Sequence, residues 1–515
     1  MTESAEGNGW SDRDRVRIAA EGLSVAEADR QMALFRQGLS PVRLNRACRV
    51  GDGIVVLAEK ERPELLRLYD EAVRTRRLMK FVPASGGATR MFQEWYRLLA
   101  GEESTGESRA RFWGELPQYP FFPDLKAALG AQGMDLENLL RADNVEAALE
   151  GILTDRGLGY GLLPKALLKF HAYPEGARTA LEEHLVEAAL YARDGQDISR
   201  LHFTLSPEHE KPVRELLASV TESYEARWDT AFDIGLSMQD RATNTLAADP
   251  ACRPFRDAEG GLVFRPGGHG ALLANLNALE ADIVFVKNID NCAPDRLKAE
   301  TVVWKRLLAA YLWTLQEESF AALRLLDGDD GTEDDLQRIA AFARGKLNAA
   351  LPACFGELSP AQRRRSLFEK LNRPLRVCGM VKNDGEPGGG PFWVDGREEQ
   401  DGPTLQIVEA FQVDWDSPSQ KGIWASSTHF NPVDLVCGIR NFRGEPFALG
   451  TFVDPQTASL ARKSDKGRPL LALERPGLWN GSMAFWNTVF VEVPLSTFNP
   501  VKNVTDLLRP QHLPD

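Results

Sequence analysis

Apolar and charged residues recur at helical spacing through most of the first 80 residues, as in ERPELLRLYDEAVRTRRLM. Apolar residues repeated every three or four positions form one face of a helix, so this pattern predicts helices over 12–50 and 60–80. The apolar stretch KFVPAS that follows predicts a strand. We therefore expect a helical N-terminal region, residues 1–76, ahead of the first strand.

Strand and helix patterns alternate beyond that point. Helical spacing dominates 92–158, GLLPKALLKFH (161–171) predicts a turn, and EGARTALEEHLVEAALYAR leads into a predicted amphipathic helix. A strand, a helix and a strand then follow in SRLHFTLS, EHEKPVRELLASVTESYEAR and AFDIGLSMQ. Such alternation indicates a layered α/β domain with a mixed, mostly parallel sheet.

The stretch ADIVFVKNID (281–290) is the clearest strand of the chain. A nearly continuous apolar run predicts burial on both faces, and its polar end predicts a site at the carboxyl edge of the sheet. Residues 295–372 return to a helical pattern, and 376–505 are rich in β-formers, glycine and proline. We expect one α/β domain over 77–505 with helical insertions at 92–158 and 295–372, and a tail at 506–515.

Composition narrows the class of protein. Hydrophobic residues make up 43% and charged residues 26%, as in globular domains, and the net charge of −13 argues against a general affinity for nucleic acid or anionic membrane. No stretch approaches the about 18 apolar residues of a membrane span, and the start MTESAEGNGWSDRDR is polar and acidic, so we expect a cytoplasmic protein. Six cysteines without a CxxC pair predict buried thiols.

The sequence FVPASGGATRM (81–91) carries the first candidate chemistry. Backbone amides of the small residues after the strand could point together at a phosphate, with Arg90 adding a fixed positive charge. A tight strand-to-helix turn whose glycines satisfy backbone geometry is the alternative. The motif by itself leaves both open.

Two further polar clusters stand at predicted strand or turn ends. Pro164–Lys165 combines a fixed backbone with a flexible positive charge, and FRPGGHGALLANLNALEADIVFVKNIDN places a glycine-rich turn before the strand that ends at Asp290. Cations, amides and a carboxylate that could hold Mg²⁺ together suit a nucleoside triphosphate. The patterns GxxxxGK[ST], GxGxxG and GxSxG are absent, which removes the main support for P-loop, dinucleotide-binding and serine-hydrolase interpretations.

In this order, ASGGATR, LPK, SMQ, PGGHG, VKNIDN, QIVE and FNPVKN resemble the UDP-sugar pyrophosphorylases. The whole chain is similar to domain-of-unknown-function family 4301, a set of distant relatives of those enzymes. The resemblance implies the fold of nucleotide-diphospho-sugar transferases (GT-A, Rossmann-like), with three layers around the sheet. Ser85 and Ala88 stand where the pyrophosphorylase loop has glycine.

The resemblance also implies a role for each matching position. It assigns the phosphates of a nucleoside triphosphate to one loop and three cations: Ser85, Gly86, Gly87, Ala88 and Thr89, with Arg90, Lys165 and Lys502. It assigns the nucleobase and uridine to Gln239, Gly267, Gly268 and His269. It assigns the sugar hydroxyls to Glu409 and Asn431, and Mg²⁺ to Asp290.

The implied reaction is the transfer of a nucleotidyl group, uridylyl by resemblance, from UTP to a sugar 1-phosphate with release of pyrophosphate. Arg90 and Lys165 lie 75 positions apart, whereas the corresponding residues of the pyrophosphorylases are close in sequence. The helical segment between them must therefore return to the same edge of the sheet. A nucleotide-sugar binding protein without turnover and a glycosyltransferase on the same scaffold remain alternatives, and neither the sugar nor the base follows from the sequence.

Overall fold

The computed structural model describes residues 9–102, 104–328, 331–385, 388–396 and 402–514. The polar start at residues 1–8 and Asp515, the last residue of the expected tail, lie outside the described residues.

The α-helices are numbered in chain order. They are α1 (Asp12–Ala20), α2 (Val25–Gln37), α3 (Arg62–Ala72), α4 (Gln93–Leu99), α5 (Gly106–Glu115), α6 (Phe122–Ala131), α7 (Leu136–Arg141), α8 (Val145–Leu153), α9 (Ala180–Tyr191), α10 (Glu210–Trp228), α11 (Leu273–Asn277), α12 (Asp295–Asp327), α13 (Glu333–Gly345), α14 (Pro360–Leu371) and α15 (Pro418–Ala425).

The strands are numbered in the same way. They are β1 (Leu44–Ala47), β2 (Arg49–Val50), β3 (Gly53–Val55), β4 (Leu78–Pro83), β5 (Lys169–Tyr173), β6 (Gly176–Thr179), β7 (Ile198–Leu205), β8 (Ala231–Met238), β9 (Thr245–Ala248), β10 (Phe264–Arg265), β11 (Ile283–Lys287), β12 (Leu375–Lys382), β13 (Gly390–Val394), β14 (Thr404–Val408), β15 (His429–Gly438), β16 (Ser459–Asp465), β17 (Arg468–Glu474) and β18 (Asn487–Glu492).

The chain forms two compact units, each built from separated segments. The first unit takes the chain up to Tyr69, Gln239–Val284 and Leu308–Val493. The second unit takes Asp70–Met238, Phe285–Leu307 and the chain from Pro494. The division of the sequence into regions 1–76, 77–505 and 506–515 remains a prediction.

The second unit contains β4, β7, β8 and the last three residues of β11 (285–287), in the strand order β11-β4-β7-β8. Strand β4 pairs with β7, and β7 with β8, in parallel. All of β11 is buried, as its apolar run predicted, and all but the last residue of β4 are buried as well. A strand buried on both faces requires cover from helices or loops on each side. The carboxyl ends of β4 and β11 therefore emerge from a fixed core, which suits them to hold a site.

In the first unit the strand order is β2-β3-β18-β12-β15. Its pairs are parallel from β2 to β12, and β12 pairs antiparallel with β15. Two smaller antiparallel sheets, β1-β13-β14 and β10-β9-β17-β16, complete the unit. The predicted α/β class is confirmed, and within the strand orders β11-β4-β7-β8 and β2-β3-β18-β12-β15 the pairing is mixed and mostly parallel, as predicted.

The prediction of helix over 12–50 is wrong over 44–50. Helices α1, α2 and α3 form where expected, but β1 and β2 take the place of the end of the helical stretch predicted over 12–50, and β3 follows before α3. The sequence RVGDGIVV turns tightly there: Gly51 and Gly53 have φ values of 82° and 92°, and a Cβ on Gly53 would lie 2.9 Å from Cys48 Sγ. Glycines with a left-handed φ do not continue a helix, so the helical pattern ends at this turn.

Helix α9 departs from the amphipathic pattern that the sequence predicted. It begins with a capping box, in which Thr179 Oγ1 accepts from the Glu182 amide (3.2 Å) and Glu182 Oε2 accepts from the Thr179 amide (2.7 Å). Nearly all of its residues are buried, including Glu183 and Glu187. Its carboxylates face an ionic interior instead of solvent.

Four of the cysteines in the described residues are buried as predicted, whereas Cys252 is partly exposed and Cys354 is exposed. Across the described part of the chain, no helix has both the length and the apolar character that crossing a membrane requires.

Candidate active site

The SGGATR loop begins directly after β4. The Ala84 amide donates to the Thr204 carbonyl (3.0 Å), which fixes the start of the loop at the end of β7. Gly86 and Gly87 are exposed, neither has a left-handed φ, and a Cβ on either would meet no atom within 4 Å. Neither packing nor backbone conformation requires glycine at these two positions. The alternative of a tight turn that needs glycine therefore loses its physical reason, and close approach of a ligand remains.

The helical insertion after this loop returns to it, as the sequence analysis required. Gly87 and Pro164 form an antiparallel bridge, the Ala88 amide donates to the Leu163 carbonyl (3.1 Å), and the Lys165 amide donates to the Gly86 carbonyl (3.3 Å). These bonds join the SGG loop to the segment of Lys165 across 75 positions of sequence. The expected return of the insertion is confirmed.

Asp290 lies beyond the carboxyl end of β11 and contacts both predicted lysines. Lys165 Nζ lies 2.9 Å from Asp290 Oδ2, and Lys502 Nζ lies 3.3 Å from the same oxygen. Lys165 Nζ also donates to the Val501 carbonyl (2.7 Å), and the Val501 amide donates to the Asp290 carbonyl (2.9 Å). We call Lys165, Asp290 and Lys502 the lysine–aspartate group.

The lysine–aspartate group carries a net positive charge. Burial raises the pKa of Asp290, but the charges of Lys502 and Lys165 outweigh it, so the pKa lies below the ordinary value. One carboxylate therefore stands between two ammonium groups, which leaves a net positive charge in a chain of net charge −13. The Lys502 side chain is 53% exposed, so solvent and small anions reach it.

The C-terminal segment holds Lys502 in place through its backbone. Asp506 Oδ2 accepts from the amides of Lys502 (2.7 Å) and Asn503 (2.8 Å). The Val504 amide donates to the Met91 carbonyl (3.0 Å), just after the SGGATR loop. Three separate stretches of the second unit thus meet around the lysine–aspartate group.

One of the predicted phosphate-binding groups differs in the structure. The Ala88 amide is engaged by Leu163, so it does not point outward as predicted; the neighbouring amides of Ser85, Gly86 and Gly87 have no such bond among the described residues. The Arg90 side chain is exposed and has no polar partner within the described chain. Thr89 is exposed and its Oγ1 reaches the Gly161 carbonyl at 3.5 Å.

The residues around Asp290 fit Mg²⁺ if Asp290 supplies one ligand and the other ligands come from outside the protein side chains. Among the described residues no three His, Cys, Asp or Glu side chains lie close enough to hold a metal ion. Mg²⁺ commonly takes one or two protein carboxylates and completes its shell with water and substrate phosphates. The ionised Asp290 suits that arrangement, with phosphate oxygens supplying the other ligands.

In the first unit, the PGGHG turn positions His269 against Trp479. The two ring centroids lie 4.4 Å apart, and a Cβ on the intervening neighbour Gly477 would lie 2.7 Å from His269 Cε1. The Leu478 amide donates to His269 Nδ1 (3.2 Å), and burial lowers the pKa of His269 although Glu409 opposes it. A neutral imidazole with Nδ1 as acceptor carries its proton on Nε2, where it can donate to a ligand.

The glycines of that turn are constrained by close neighbours. A Cβ on Gly267 would lie 2.5 Å from the Thr243 carbonyl oxygen, and Gly268 has a φ of 72°. Structural need explains both glycines without a ligand. Their predicted nucleotide contacts remain a prediction.

Of the predicted sugar ligands, Glu409 belongs to the same group as His269. Trp479 Nε1 donates to Glu409 Oε1 (3.3 Å), so the indole links the two predicted residues. Asn431 is buried, and its Oδ1 accepts from the Val433 amide (3.1 Å), which supports the left-handed φ of 58° at Val433. That contact gives Asn431 a structural role beside any ligand role.

Gln239 lies just after β8. Its Nε2 donates to Asn244 Oδ1 (3.2 Å), and Asn244 Nδ2 donates to Glu21 Oε2 (3.0 Å). Its side chain is half-buried, so its predicted contact with a base stays a prediction.

Sequence reasoning missed Trp479. The aromatic residues of 474–490 stand at strand spacing, and the sequence predicts that they pack inward because large rings in such a pattern usually do. Trp479 is partly exposed and its ring contacts that of His269 at a tilt of 32°, and Phe485 is 40% exposed. The signal that could have found it is the glycine-flanked PGLWNG, which is typical of a loop.

The overall structure has neighbours among solved structures at low identity. UDP-glucose pyrophosphorylase from Leishmania major gives a TM-score of 0.45 at 12% identity, over 98% of this chain and 79% of that one. The uridine diphosphate N-acetylglucosamine pyrophosphorylase from Trypanosoma brucei gives 0.47 at 12% identity, over 97% and 79%. The UDP-glucose phosphorylase from Trypanosoma brucei gives 0.43 at 13% identity, over 96% and 77%.

Among curated proteins, none matches this chain. The family model described as a domain of unknown function, DUF4301, matches residues 11–513. That match spans nearly the whole chain. The chain therefore belongs to the DUF4301 family.

Proposed function

We propose that the protein is a nucleotidyltransferase that transfers a nucleotidyl group, uridylyl from UTP, to a sugar 1-phosphate and releases pyrophosphate. The observation that carries the proposal is the lysine–aspartate group, with the SGG loop bonded directly to the segment of Lys165. Positive charge, open backbone amides and an ionised carboxylate at strand ends suit a chain of phosphates. The motif resemblance gives the direction of the reaction.

In this reaction an oxygen of the sugar phosphate forms a bond to the α-phosphorus, and the bond between the α- and β-phosphates breaks. The electron pair of that bond leaves with pyrophosphate. The protein supplies position and charge, since phosphoryl chemistry of this kind needs no covalent intermediate. We assign Lys502 to the α-phosphate and the incoming phosphate, and Arg90, Lys165 and the amides of 85–87 to the leaving pyrophosphate.

The two lysines are bound to Asp290 before substrate arrives. Phosphate oxygens would compete with Asp290 for the ammonium groups, and the half-exposed Lys502 would exchange partners most easily. Mg²⁺ held by Asp290 and phosphate oxygens would neutralise charge on the phosphates. Each ammonium then acts as a preorganised positive group, whose loss commonly lowers a rate by about 10²–10³.

In the first unit we assign Gln239, Gly267, Gly268 and His269 to the nucleoside, and Glu409 and Asn431 to the sugar. For His269 and Glu409 the support is their shared neighbour Trp479. For the other four residues the assignment rests on the motif resemblance.

The test is pyrophosphate release from purified protein with Mg²⁺, one of four nucleoside triphosphates, and glucose, N-acetylglucosamine or galactose 1-phosphate. We expect release with UTP and one of these sugars, and a rate about 10²–10³ lower in Lys502→Ala. Lys211→Ala, at a side chain that is 86% exposed on α10, is the matched control and should keep the full rate.

The other outcomes identify the alternatives. Thermal stabilisation by UTP without pyrophosphate release from any sugar would make the protein a nucleotide-sugar binder. Release of UDP from a nucleotide sugar in the presence of an acceptor would make it a glycosyltransferase. Stabilisation by none of these nucleotides would remove the proposal.

A further inference from the structure

The first unit contains a cavity of about 670 Å³ that none of the assignments above uses. Its walls come from α2, α11, the stretch 450–458 and the end of β17. Small-molecule sites are usually concave, largely preformed and about 300–1,000 Å³ in volume. The cavity has the size of a ligand site.

Most of its wall is apolar. Leu34, Leu273, Val453 and Leu473 line it, and Leu473 belongs to a buried core cluster of the unit. A surface of this kind gains free energy when an apolar molecule displaces water from it. The wall therefore favours a ligand whose larger part is apolar.

Two arginines and one glutamate supply the charge of the lining. Glu27 Oε2 contacts the Arg30 guanidinium, and Gln31 Nε2 donates to Glu27 Oε1 (2.8 Å). Arg475 Nη2 stands 3.9 Å from Glu27 Oε1, too far for a hydrogen bond. One carboxylate thus serves two guanidinium groups, and the excess charge is positive.

Arg475 is the less satisfied of the two arginines. Its Nε and Nη2 donate to the carbonyls of Thr243 (2.7 Å) and Ala242 (3.2 Å), and 29% of its side chain is exposed. Burial, and then the charge of Arg30, lower its pKa. Arginine nevertheless stays charged in proteins, and a partly buried charge whose counter-ion is shared with Arg30 and stands 3.9 Å away is incompletely compensated. An anion at this end of the cavity would remove that penalty.

We propose that the cavity binds a small amphipathic anion, an apolar organic molecule with one negatively charged end. The apolar body lies against the leucines and Val453, and the charged end lies at Arg475. The site is separate from the residues assigned to nucleotidyl transfer and does not depend on that assignment. It borders Gly270 and Pro476, which flank the loops that carry His269 and Trp479, so its ligand also contacts those loops.

The test compares octanoate with 1-octanol by calorimetry on the full chain. The two probes share an apolar tail and differ in charge. We expect octanoate to bind at least about tenfold more tightly, the usual size of one hydrogen bond to a charged group. Equal affinity of the two probes, or no binding of octanoate, would overturn the proposal.

Variants locate the probe. Ala274→Trp places an indole at the exposed rim of the cavity and should abolish octanoate binding, whereas Ala278→Trp, exposed just after α11 and outside the lining, should not change it. Arg475→Gln should weaken octanoate about tenfold or more and leave 1-octanol unchanged. Glu27→Gln should strengthen octanoate, because it removes the competing carboxylate.

A second readout does not depend on any variant folding normally. Bound octanoate should slow amide hydrogen exchange in the lining segments 27–34, 270–277, 450–458 and 473–482, and 1-octanol should do so less. Octanoate binding that survives Ala274→Trp, or protection confined to residues outside these segments, would place the ligand at another site and contradict the inference.

Discussion

The second unit contains two groups of the same composition, a carboxylate between two lysines, in different surroundings. Glu187 binds Lys80 and Lys287, each at 2.7 Å, and all three side chains are at most 2% exposed. Asp290 binds Lys165 at 2.9 Å and Lys502 at 3.3 Å, and the Lys502 side chain is 53% exposed. The chemistry is shared, and access to solvent differs.

That difference decides what each group can do. At Glu187 water cannot replace a lost partner, so the group is a fixed part of the interior and removal of one charge is expensive. Burial lowers the pKa of Lys80 against the opposing charge of Glu187, so this interior disfavours an unbalanced ammonium. At Asp290 a phosphate or water can take the place of the carboxylate. The group of Glu187, Lys80 and Lys287, which we call the sealed group, stabilises the fold. The lysine–aspartate group at Asp290, which we also call the open group, can exchange its partners.

The largest effect that we expect is a loss of stability when the Glu187 group loses its carboxylate. Glu187→Gln leaves Lys80 and Lys287 buried without a counter-charge, so the free energy of unfolding should fall by about 3–5 kcal/mol. Urea denaturation followed by circular dichroism measures it. Glu215→Gln, at a side chain that is 65% exposed on α10, is the control and should change little.

A triple variant keeps this prediction testable if Glu187→Gln does not fold. Replacing Glu187, Lys80 and Lys287 together by methionine removes every member of the buried group, and stability should recover much of the loss. If the single variant were as stable as the parent, the sealed group would not be the structural element described here.

Asp290→Asn tests the open group and should affect rate more than stability. With the reaction proposed above, we expect kcat/KM for pyrophosphate release to fall by about 10²–10³. The free energy of unfolding should change by about 1–2 kcal/mol, because solvent reaches Lys502 and the Val501 carbonyl still accepts from Lys165. Initial rates and urea denaturation of one preparation provide both numbers. A stability loss as large as that of Glu187→Gln would erase the distinction between the groups.

The two groups also show how far the sequence predicts this protein. The apolar runs predicted the strands β4 and β11, with burial on both faces for β11. The motif resemblance implied that Lys165, Asp290 and Lys502 would come together. Charged residues inside such runs, Lys80 and Lys287, signal a buried partner, but the partner lies on α9, about 100 positions away from each. Spacing along one chain does not contain that pairing.

The other wrong predictions also have physical causes. The helix prediction over 12–50 rested on the spacing of apolar residues and did not consider Gly51 and Gly53, whose φ values are left-handed. The loop motif could not show that Ala88 bonds to Leu163, because that partner comes from the far end of an insertion. The ring of Trp479 resembled core residues in composition, and its position over His269 depends on a loop.

Acid should loosen the C-terminal segment that carries Lys502, because His512 of that segment is buried against His171. His512 Nδ1 lies 2.9 Å from His171 Nε2, whose ring in turn bonds to Glu183. Burial, then the charges of His171, Arg509 and Arg296, lower the pKa of His512 to about 3.

The sign follows from linkage. The unfolded state binds a proton at the ordinary value of 6.5 and the folded state at about 3, so the contribution is complete above pH 6.5 and declines as the pH falls toward 3. The slope for one proton is at most about 1.4 kcal/mol per pH unit. Urea denaturation of the parent and of His512→Gln between pH 7 and 4 measures it. Parallel pH profiles for the two proteins would rule out this role of His512.

The smallest effect is expected in the first unit, for a substitution of Trp479, whose contacts with His269 and Glu409 involve no lysine. Trp479→Phe keeps an aromatic ring over His269 and loses the hydrogen bond to Glu409 Oε1. A neutral donor is removed from a partly exposed carboxylate, so KM for the nucleotide or the sugar phosphate should rise about two- to tenfold while kcat stays within about twofold. Trp479→Ala also removes the ring and should raise KM further. A fall in kcat as large as that of Asp290→Asn would mean that the indole acts on the reacting phosphates, and catalysis would then not be concentrated in the lysine–aspartate group.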